Sequence, residues 1–405
     1  MRLLVVVNVF DPDLGGGVLF ADFCRGLSTR GFEVEVMCAV PYYPEWTDKR
    51  GQNGLAIHRE HGHRSVRVLR HGLFIPRDPG SMVQRLIYEG SFFASLVRTL
   101  PAPGSYDLVM AYCPLVGGVG YGALAARLAG CPLWLNVQDL SAEAAAAAGI
   151  VRSSRAAEWF RGIQRFLFNR ADVWSTISPV MQTTLAPLAR RGQTVHMLPN
   201  WLHGSLAETL AHAPSQAHLN GGPVRLLYSG NIGGKQDLIR FCKALARTSA
   251  RFEFDIRGGG ADAEVVERWV QDTGDARFRF GPLTDEAELA AGLAGTHLFV
   301  VTEKEGAGGS FIPSKLLPAY GSGTAILSVS DAGSPLGREM AQSGAGPRLG
   351  WSEVSTLGSL ISGLEPGVLN GWRQASRARS RAFDREEIID RYAALMREAV
   401  DRHRV

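Results

Sequence analysis

Short apolar runs recur along the whole chain. Each ends in glycine or a polar residue, and a helical pattern fills most of the gaps between them. A run that is apolar at every position suits a strand buried on both faces, as in a parallel sheet covered by helices. Strands alternating with helices predict an α/β chain. The predicted strands of the first half are Leu3–Val9, Glu33–Ala39, Leu108–Ala111, Leu133–Val137, Val173–Ile177 and Thr194–Leu198. Polar, helix-poor material follows. The pattern then restarts with Val224–Ser229, Phe252–Arg257, Phe278–Gly281, Leu298–Val301 and Ala325–Ser330. At 405 residues, this double series predicts two domains, 1–200 and 223–384, joined by a linker over 201–222. Ser178-Pro179 is a good N-cap and first-turn pair for a helix. Asp384–His403 reads as one amphipathic helix, with Ile388, Ile389, Tyr392, Leu395 and Met396 on one face.

Composition narrows the function classes. Apolar content of 45% and charged content of 20% suit a folded globular chain. Five scattered cysteines without a CxxC pair suit buried thiols in a reducing compartment. The opening MRLLVVVNVF runs straight into Asp11-Pro12-Asp13 and reads as a buried strand, not a signal peptide. No stretch is apolar for long enough to cross a bilayer, so the cytoplasm is the expected location. Residues 1–200 carry 20 Lys and Arg against 15 Asp and Glu, which suits either solvated surface or an anionic membrane face or substrate. Dispersed basic residues and no zinc-finger spacing argue against a nucleic-acid module.

The segment richest in chemistry is Glu303–Gly323, EKEGAGGSFIPSKLLPAYGSG. A strand leads into small residues (Gly306, Ala307, Gly308, Gly309), and Pro313-Ser314-Lys315 then opens a helical pattern. Glycines let backbone N–H groups approach a ligand, and a helix start favours an anion. Glu303 and Glu305 stand where they could serve sugar hydroxyls. Together these features point to a sugar-nucleotide site at the carboxyl edge of a sheet. Ser314 and Lys315 either offer a hydroxyl and a cation to the donor or are a helix cap and a surface lysine.

Other segments carry paired readings. Gly230 and Asn231 end a strand and Lys235 follows, fit for a diphosphate or for a plain turn with a solvated lysine. Gly258-Gly259-Gly260 either admits a nucleotide or makes a tight turn, and Arg257 either faces the diphosphate or caps its strand. Gly15-Gly16-Gly17 is a turn after the first strand. Gln138 and Asp139 end another, and Asp139 either orients an acceptor hydroxyl or caps a helix over Ser141–Ala148. Tyr42, Tyr43 and Trp46 form an aromatic loop that either stacks on sugar rings or covers the core. The His- and Arg-rich stretch from His58 to His71 reads as a solvated basic loop, since no ligand spacing for a metal is in view. Two stretches either have membrane-surface character or are packed core helices with the same apolar stripe. One holds Trp159, Phe160, Ile163, Phe166, Leu167 and Trp174 among Arg155, Arg161, Arg165 and Arg170. The other is Leu86–Leu100 with Phe92, Phe93 and Leu96.

Six of these segments, in order, resemble a family. They are PYYPEW (41–46), VQDLSAEAAAAAGI (137–150), ISPVM (177–181), LPNWLH (198–203), LYSGNIGGKQDL (227–238) and IPSKLLPAYGSG (312–323). Together they resemble a GT-B glycosyltransferase of the family-4 type, nearest the colanic-acid and O-antigen polysaccharide branch. The resemblance implies two Rossmann-like domains facing a cleft, acceptor on the first and nucleotide sugar on the second, with 385–405 crossing back to the first. It implies transfer from a UDP- or GDP-sugar to a saccharide acceptor, polyprenyl-linked, at the inner membrane face, with retained configuration and neither metal nor cofactor. It makes Asp139, Glu303 and Lys235 the catalytic candidates. Donor contacts fall to Gly15–Gly17, Gly230, Asn231, Lys235, Gly258, Gly259, Leu283, Glu305, Gly306, Ala307, Gly308, Ser314 and Lys315. Acceptor contacts fall to Tyr42, Tyr43, Trp46 and Gln138. Two departures stand out: Asn231 takes the place of a basic residue, and Pro318 that of a second glutamate that usually holds the ribose. They keep alive a catalytically weak sugar-nucleotide-binding scaffold, and an epimerase of the same fold is a further alternative.

Overall fold

The computed structural model describes residues 1–61, 66–139, 162, 166–189, 193–213, 217–306 and 313–404. The chain divides into two compact units, Met1–Pro199 with Arg385–Val405, and Asn200–Asp384.

Among its described residues the first unit has eight strands: β1 (Arg2–Val6), β2 (Glu33–Ala39), β3 (Ile57–His61), β4 (Val66–His71), β5 (Leu108–Cys113), β6 (Leu133–Val137), β7 (Val173–Thr176) and β8 (Val195–Met197). They lie in the order β3-β4-β2-β1-β5-β6-β7-β8, and every pair is parallel except β3 with β4. Strands β5, β6 and β7 are buried at every position, which is why their sequences are continuous rather than alternating. Ser178 caps the helix Pro179–Leu185 by accepting from the Met181 amide at 3.2 Å, as its sequence predicts.

The stretch from His58 to His71 corrects the sequence reading. Instead of a solvated loop it holds β3 and β4, an antiparallel pair at the sheet edge. Arg70 is only 2% exposed there, and its Nε donates to Glu60 Oε2 at 2.8 Å. Burial of a paired arginine and of His71 left no apolar run to mark the strand.

The helix Arg385–Arg404 lies against Gly16–Ser28 within the same unit. Gly26 makes the approach close enough that a Cβ there would meet Ile389 Cδ1 at 2.5 Å. Arg385 binds both carboxylate oxygens of Asp22, at 2.7 and 3.0 Å, and Arg30 bridges Glu386 and Asp390. Tyr392 reaches further in, where its hydroxyl accepts from Asn136 Nδ2 at 2.8 Å.

The second unit holds β9 (Val224–Asn231), β10 (Phe252–Gly259), β11 (Phe278–Gly281), β12 (Leu298–Thr302), β13 (Ala325–Val329) and β14 (Arg348–Leu349). All its pairs are parallel, in the order β11-β10-β9-β12-β13-β14. Counted within this sheet that is 3-2-1-4-5-6, the doubly wound Rossmann order. Leu226, Tyr228 and Val300 face one core, and Leu227, Phe299 and Val301 the other. The stretch 201–222, expected as a linker, contains the helix Gly204–His212. Leu206 and Leu210 of that helix are buried in the second core, so the segment is part of the unit.

Ile389→Ala should cost about 2–5 kcal/mol, because it empties a close-packed helix contact. Asp401→Ala, on the exposed face of the same helix, should stay within about 0.5 kcal/mol. Urea unfolding of the two variants checks the difference, and equal stabilities would contradict the packing.

Candidate active site

In a doubly wound sheet, ligands bind outside the carboxyl ends of the strands where the strand order reverses. In the second unit that point lies between β9 and β12. Gly230 closes β9 with φ +128, a conformation that favours glycine. The side chain of Lys315 lies against it, with Cε and Nζ 3.4 and 3.5 Å from where a Cβ would be. Lys315 Nζ donates to the Tyr228 hydroxyl at 2.7 Å and sits 4.0 Å from the centre of that ring. The Tyr228 hydroxyl in turn donates to the Asn231 carbonyl at 2.6 Å. Among the described residues no carboxylate is bonded to this ammonium, and burial pushes it down to about 7 from an ordinary value of 10.5. A half-buried cation beside a side-chain-free strand end, with no counter-ion among the described residues, is the strongest anion-seeking feature of this edge.

The remaining predicted residues of this unit fall around it. Lys235 is exposed on the turn after β9, and its carbonyl accepts from the Lys304 amide at 2.8 Å, which ties that turn to the exit of β12. Glu303 is buried where β12 ends, and its carbonyl accepts from Trp351 Nε1 at 2.8 Å. Glu305 is exposed and pairs with Arg240 at 3.2 Å, whose guanidinium lies 4.3 Å from the Trp351 ring. The Gly306 amide donates to Asp331 Oδ2 at 2.8 Å. Ser314 is exposed one residue before Lys315, and the helix itself begins at Leu316. Leu283 is exposed beyond β11. Ala307 and Gly308 lie outside the described residues.

Gly258 is a correction. A Cβ there would collide with the Gly230 carbonyl, so this glycine serves the close pairing of β9 with β10 instead of facing a nucleotide. Gly259 next to it is exposed and open. Arg257 bonds Asp255 at 2.8 Å and lies over Gly281, which favours the structural reading. Beside the turn after β9 opens a cavity of about 200 Å³ whose lining includes Asp237, Asp262 and Lys304. Two carboxylates make it a poorer seat for a diphosphate than Lys315 does.

The first unit has its own reversal point, between β1 and β5. Asp13, fully buried after β1, accepts from the Tyr42 and Tyr43 amides at 3.0 and 2.9 Å and lies 3.6 Å from Lys49. Burial is the largest influence on its carboxyl and raises its pKa. Arg70 donates to the Asp11 carbonyl from the other side. The loop leading into Gly15, Gly16 and Gly17 is therefore held at both ends, and the helix starts at Gly16. Tyr42 is a second correction. It is fully buried, its hydroxyl bonds that of Tyr88 at 2.7 Å, and it cannot meet an acceptor. Tyr43 and Trp46 keep part of their rings at the surface. Gln138 donates to Asn136 at 2.6 Å, and the main-chain carbonyl of the half-buried Asp139 accepts weakly from Cys113 Sγ at 3.7 Å. The helix predicted over Ser141–Ala148 lies outside the described residues. Glu89, unmarked in the sequence, accepts from the Gly117 amide at 2.8 Å, and burial pushes its carboxyl up to about 7.

Comparison with known proteins decides the class. Residues 15–201 match the family model described as "Glycosyl transferase 4-like domain". This stretch is a glycosyl transferase 4-like domain. The chain is a glycosyltransferase, as its resemblance implied. It is 27% identical over 406 residues to a protein of Escherichia coli K12 described as "Putative colanic acid biosynthesis glycosyl transferase WcaI", covering 97% of this chain and 98% of that one. Its fold matches sucrose-phosphate synthase of Thermosynechococcus elongatus with a TM-score of 0.72 at 17% identity, over 98% of both chains. It matches Anabaena Alr3699/HepE in complex with UDP at 0.68 and 16%, over 98% of this chain and 100% of that one. The glycosyltransferase thus has the expected GT-B fold.

A diphosphate beside Lys315 should restore its charge. Below the folded value of about 7 the amine is already protonated; above it, binding must take up a proton. Calorimetry of UDP binding at alkaline pH, in buffers of different ionisation enthalpy, should show uptake approaching about one proton. Lys315→Arg should bind with no uptake. Equal proton counts for the two proteins would contradict the assignment.

Proposed function

We propose that this glycosyltransferase moves a sugar from a UDP- or GDP-sugar to a saccharide carried on a polyprenyl diphosphate. The product would enter a bacterial surface polysaccharide, and the reaction would retain configuration without a metal ion. The observation that carries the reading is Lys315, held over Tyr228 against Gly230 at the reversal point of the second sheet. The likeness to a protein named for colanic acid biosynthesis and to one solved with UDP supports the acceptor and donor classes.

In the proposed reaction the bond between the anomeric carbon and the diphosphate oxygen breaks, and the acceptor hydroxyl bonds the same face of that carbon. Its proton passes to the departing diphosphate. Lys315, with Lys235 on the neighbouring turn, stabilises the charge that grows on the leaving group. Within the second unit, Glu303, Glu305 and Ser314 meet the donor sugar and Leu283 borders the base. In the first unit, Tyr43 and Trp46 offer ring faces, and Gln138 and Asp139 offer polar groups suited to a saccharide acceptor.

Thermal shift of the purified chain with a panel of UDP-, GDP- and dTDP-sugars tests the donor class, because a ligand of the native state stabilises it by mass action. One donor family should raise Tm, and Lys315→Ala should weaken that donor by about 10–100-fold through loss of a charged contact. The preferred donor should also hydrolyse slowly without acceptor. Binding without any turnover would favour a scaffold, the reading that Pro318 and Asn231 leave open. No shift with any donor would overturn both.

A further inference from the structure

The helix Met82–Leu96 turns its outward side to solvent without a charged residue on it. Successive residues of a helix rotate by about 100°. On that wheel Met82, Val83, Leu86, Ile87 and Phe93, with Gly90 and Ala94 between them, fill one arc of roughly 140°. All seven are exposed, the five large ones by 36–65%. Phe92 and Leu96, which the sequence offered for a surface role, point inward and are fully buried with Tyr88 and Ser95. The helix is therefore apolar on both sides, a pattern that a globular surface does not tolerate in isolation.

The apolar arc continues beyond the helix. Phe93 and Leu167 both reach the space over Gly120, which brings the helical residues 166–168 alongside. Phe166 there is 59% exposed, and the Arg170 guanidinium lies 4.6 Å from its ring. Exposed Arg77, Arg85 and Arg98 lie just before, on and just after the helix, against one exposed carboxylate there, Asp78. Their charges are complementary to an anionic surface. Apolar side chains on one plane with a basic rim describe an element that lies in a bilayer interface. We propose that this face docks the first unit on an anionic lipid bilayer. The same helix carries Tyr88, bonded to Asn8 and Tyr42 at the carboxyl edge of the first sheet. Docking would thus hold that edge next to the headgroups. Its use in catalysis rests on the lipid-linked acceptor proposed above; the docking itself does not.

Sedimentation of the full chain with vesicles of phosphatidylethanolamine and phosphatidylglycerol tests the proposal, with phosphatidylcholine vesicles alongside. The wild type should pellet with the anionic vesicles and remain in solution with phosphatidylcholine. Leu86→Glu/Ile87→Glu should lower partition by at least about tenfold. Arg77→Glu/Arg85→Glu should lower it too and weaken its dependence on salt. Both pairs are exposed, so Tm and the donor-induced shift should stay at wild-type values. The milder Leu86→Ser/Ile87→Ser serves if the charged pair fails to fold. Undiminished pelleting of the apolar variants would overturn the proposal. So would a wild type that ignores both vesicle types, or light scattering showing that the same substitutions break a dimer. Vesicle binding by a chain that binds no nucleotide sugar would instead sink the proposed reaction and leave the docking face standing.

Discussion

An ammonium held over an aromatic ring, against a strand end that has no side chain, is the constraint around which the second unit is arranged. Lys315 reaches Tyr228 only because Gly230 leaves its path clear. Gly230 in turn lies beside Gly258, whose missing side chain lets β9 and β10 come together. A Cβ at either place would push the backbone or the lysine away. The strand order then does the rest, since β9 and β12 diverge at this point and leave their carboxyl ends open. Burial without a bonded carboxylate makes the ammonium costly to keep charged. A site of that kind gains more from an arriving anion than a solvated lysine would.

The first unit solves a different problem, that of fixing loops. One buried carboxylate, Asp13, gathers two consecutive amides from the aromatic loop. One buried guanidinium, Arg70, holds the carbonyl of Asp11 and is itself neutralised by Glu60. A partly buried tyrosine–asparagine network behind them joins Asn8, Tyr42 and Tyr88. The bonds to Asp13 Oδ1 and from Arg70 give the glycine loop that follows Asp13 a defined starting position. The C-terminal helix closes this unit through Asp22, Arg385 and the Gly26–Ile389 contact, although its residues are the last in the chain.

Much of this was legible in the sequence because burial on both faces writes a continuous apolar run. Glu33–Ala39, Leu133–Val137 and Phe278–Gly281 fall where the runs predict them, and the other predicted strands shift mainly at their ends. The exceptions are physical. Strands β3 and β4 sit at a sheet edge and bury Arg70 and His71 through hydrogen bonds, so polarity hid them. The helix Gly204–His212 is short, and its two buried leucines gave too little periodicity to separate it from a linker. At the site, the glycines and lysines were visible, but their division of labour was not. Gly258 answers to a neighbouring strand, Tyr42 to a hydrogen-bond network, and Lys315 to the ring of Tyr228, none of which is adjacent in sequence.

The central claim is that the second sheet grips an activated sugar by its diphosphate at Lys315. A crystal structure of the chain with bound UDP tests it most directly. The account predicts a diphosphate oxygen about 3 Å from Lys315 Nζ, the distance of a charge-assisted hydrogen bond, with the nucleotide lying across the ends of β9 and β12. A nucleotide seated instead in the cavity bordered by Asp237 and Asp262, with Lys315 still turned onto Tyr228, would contradict it.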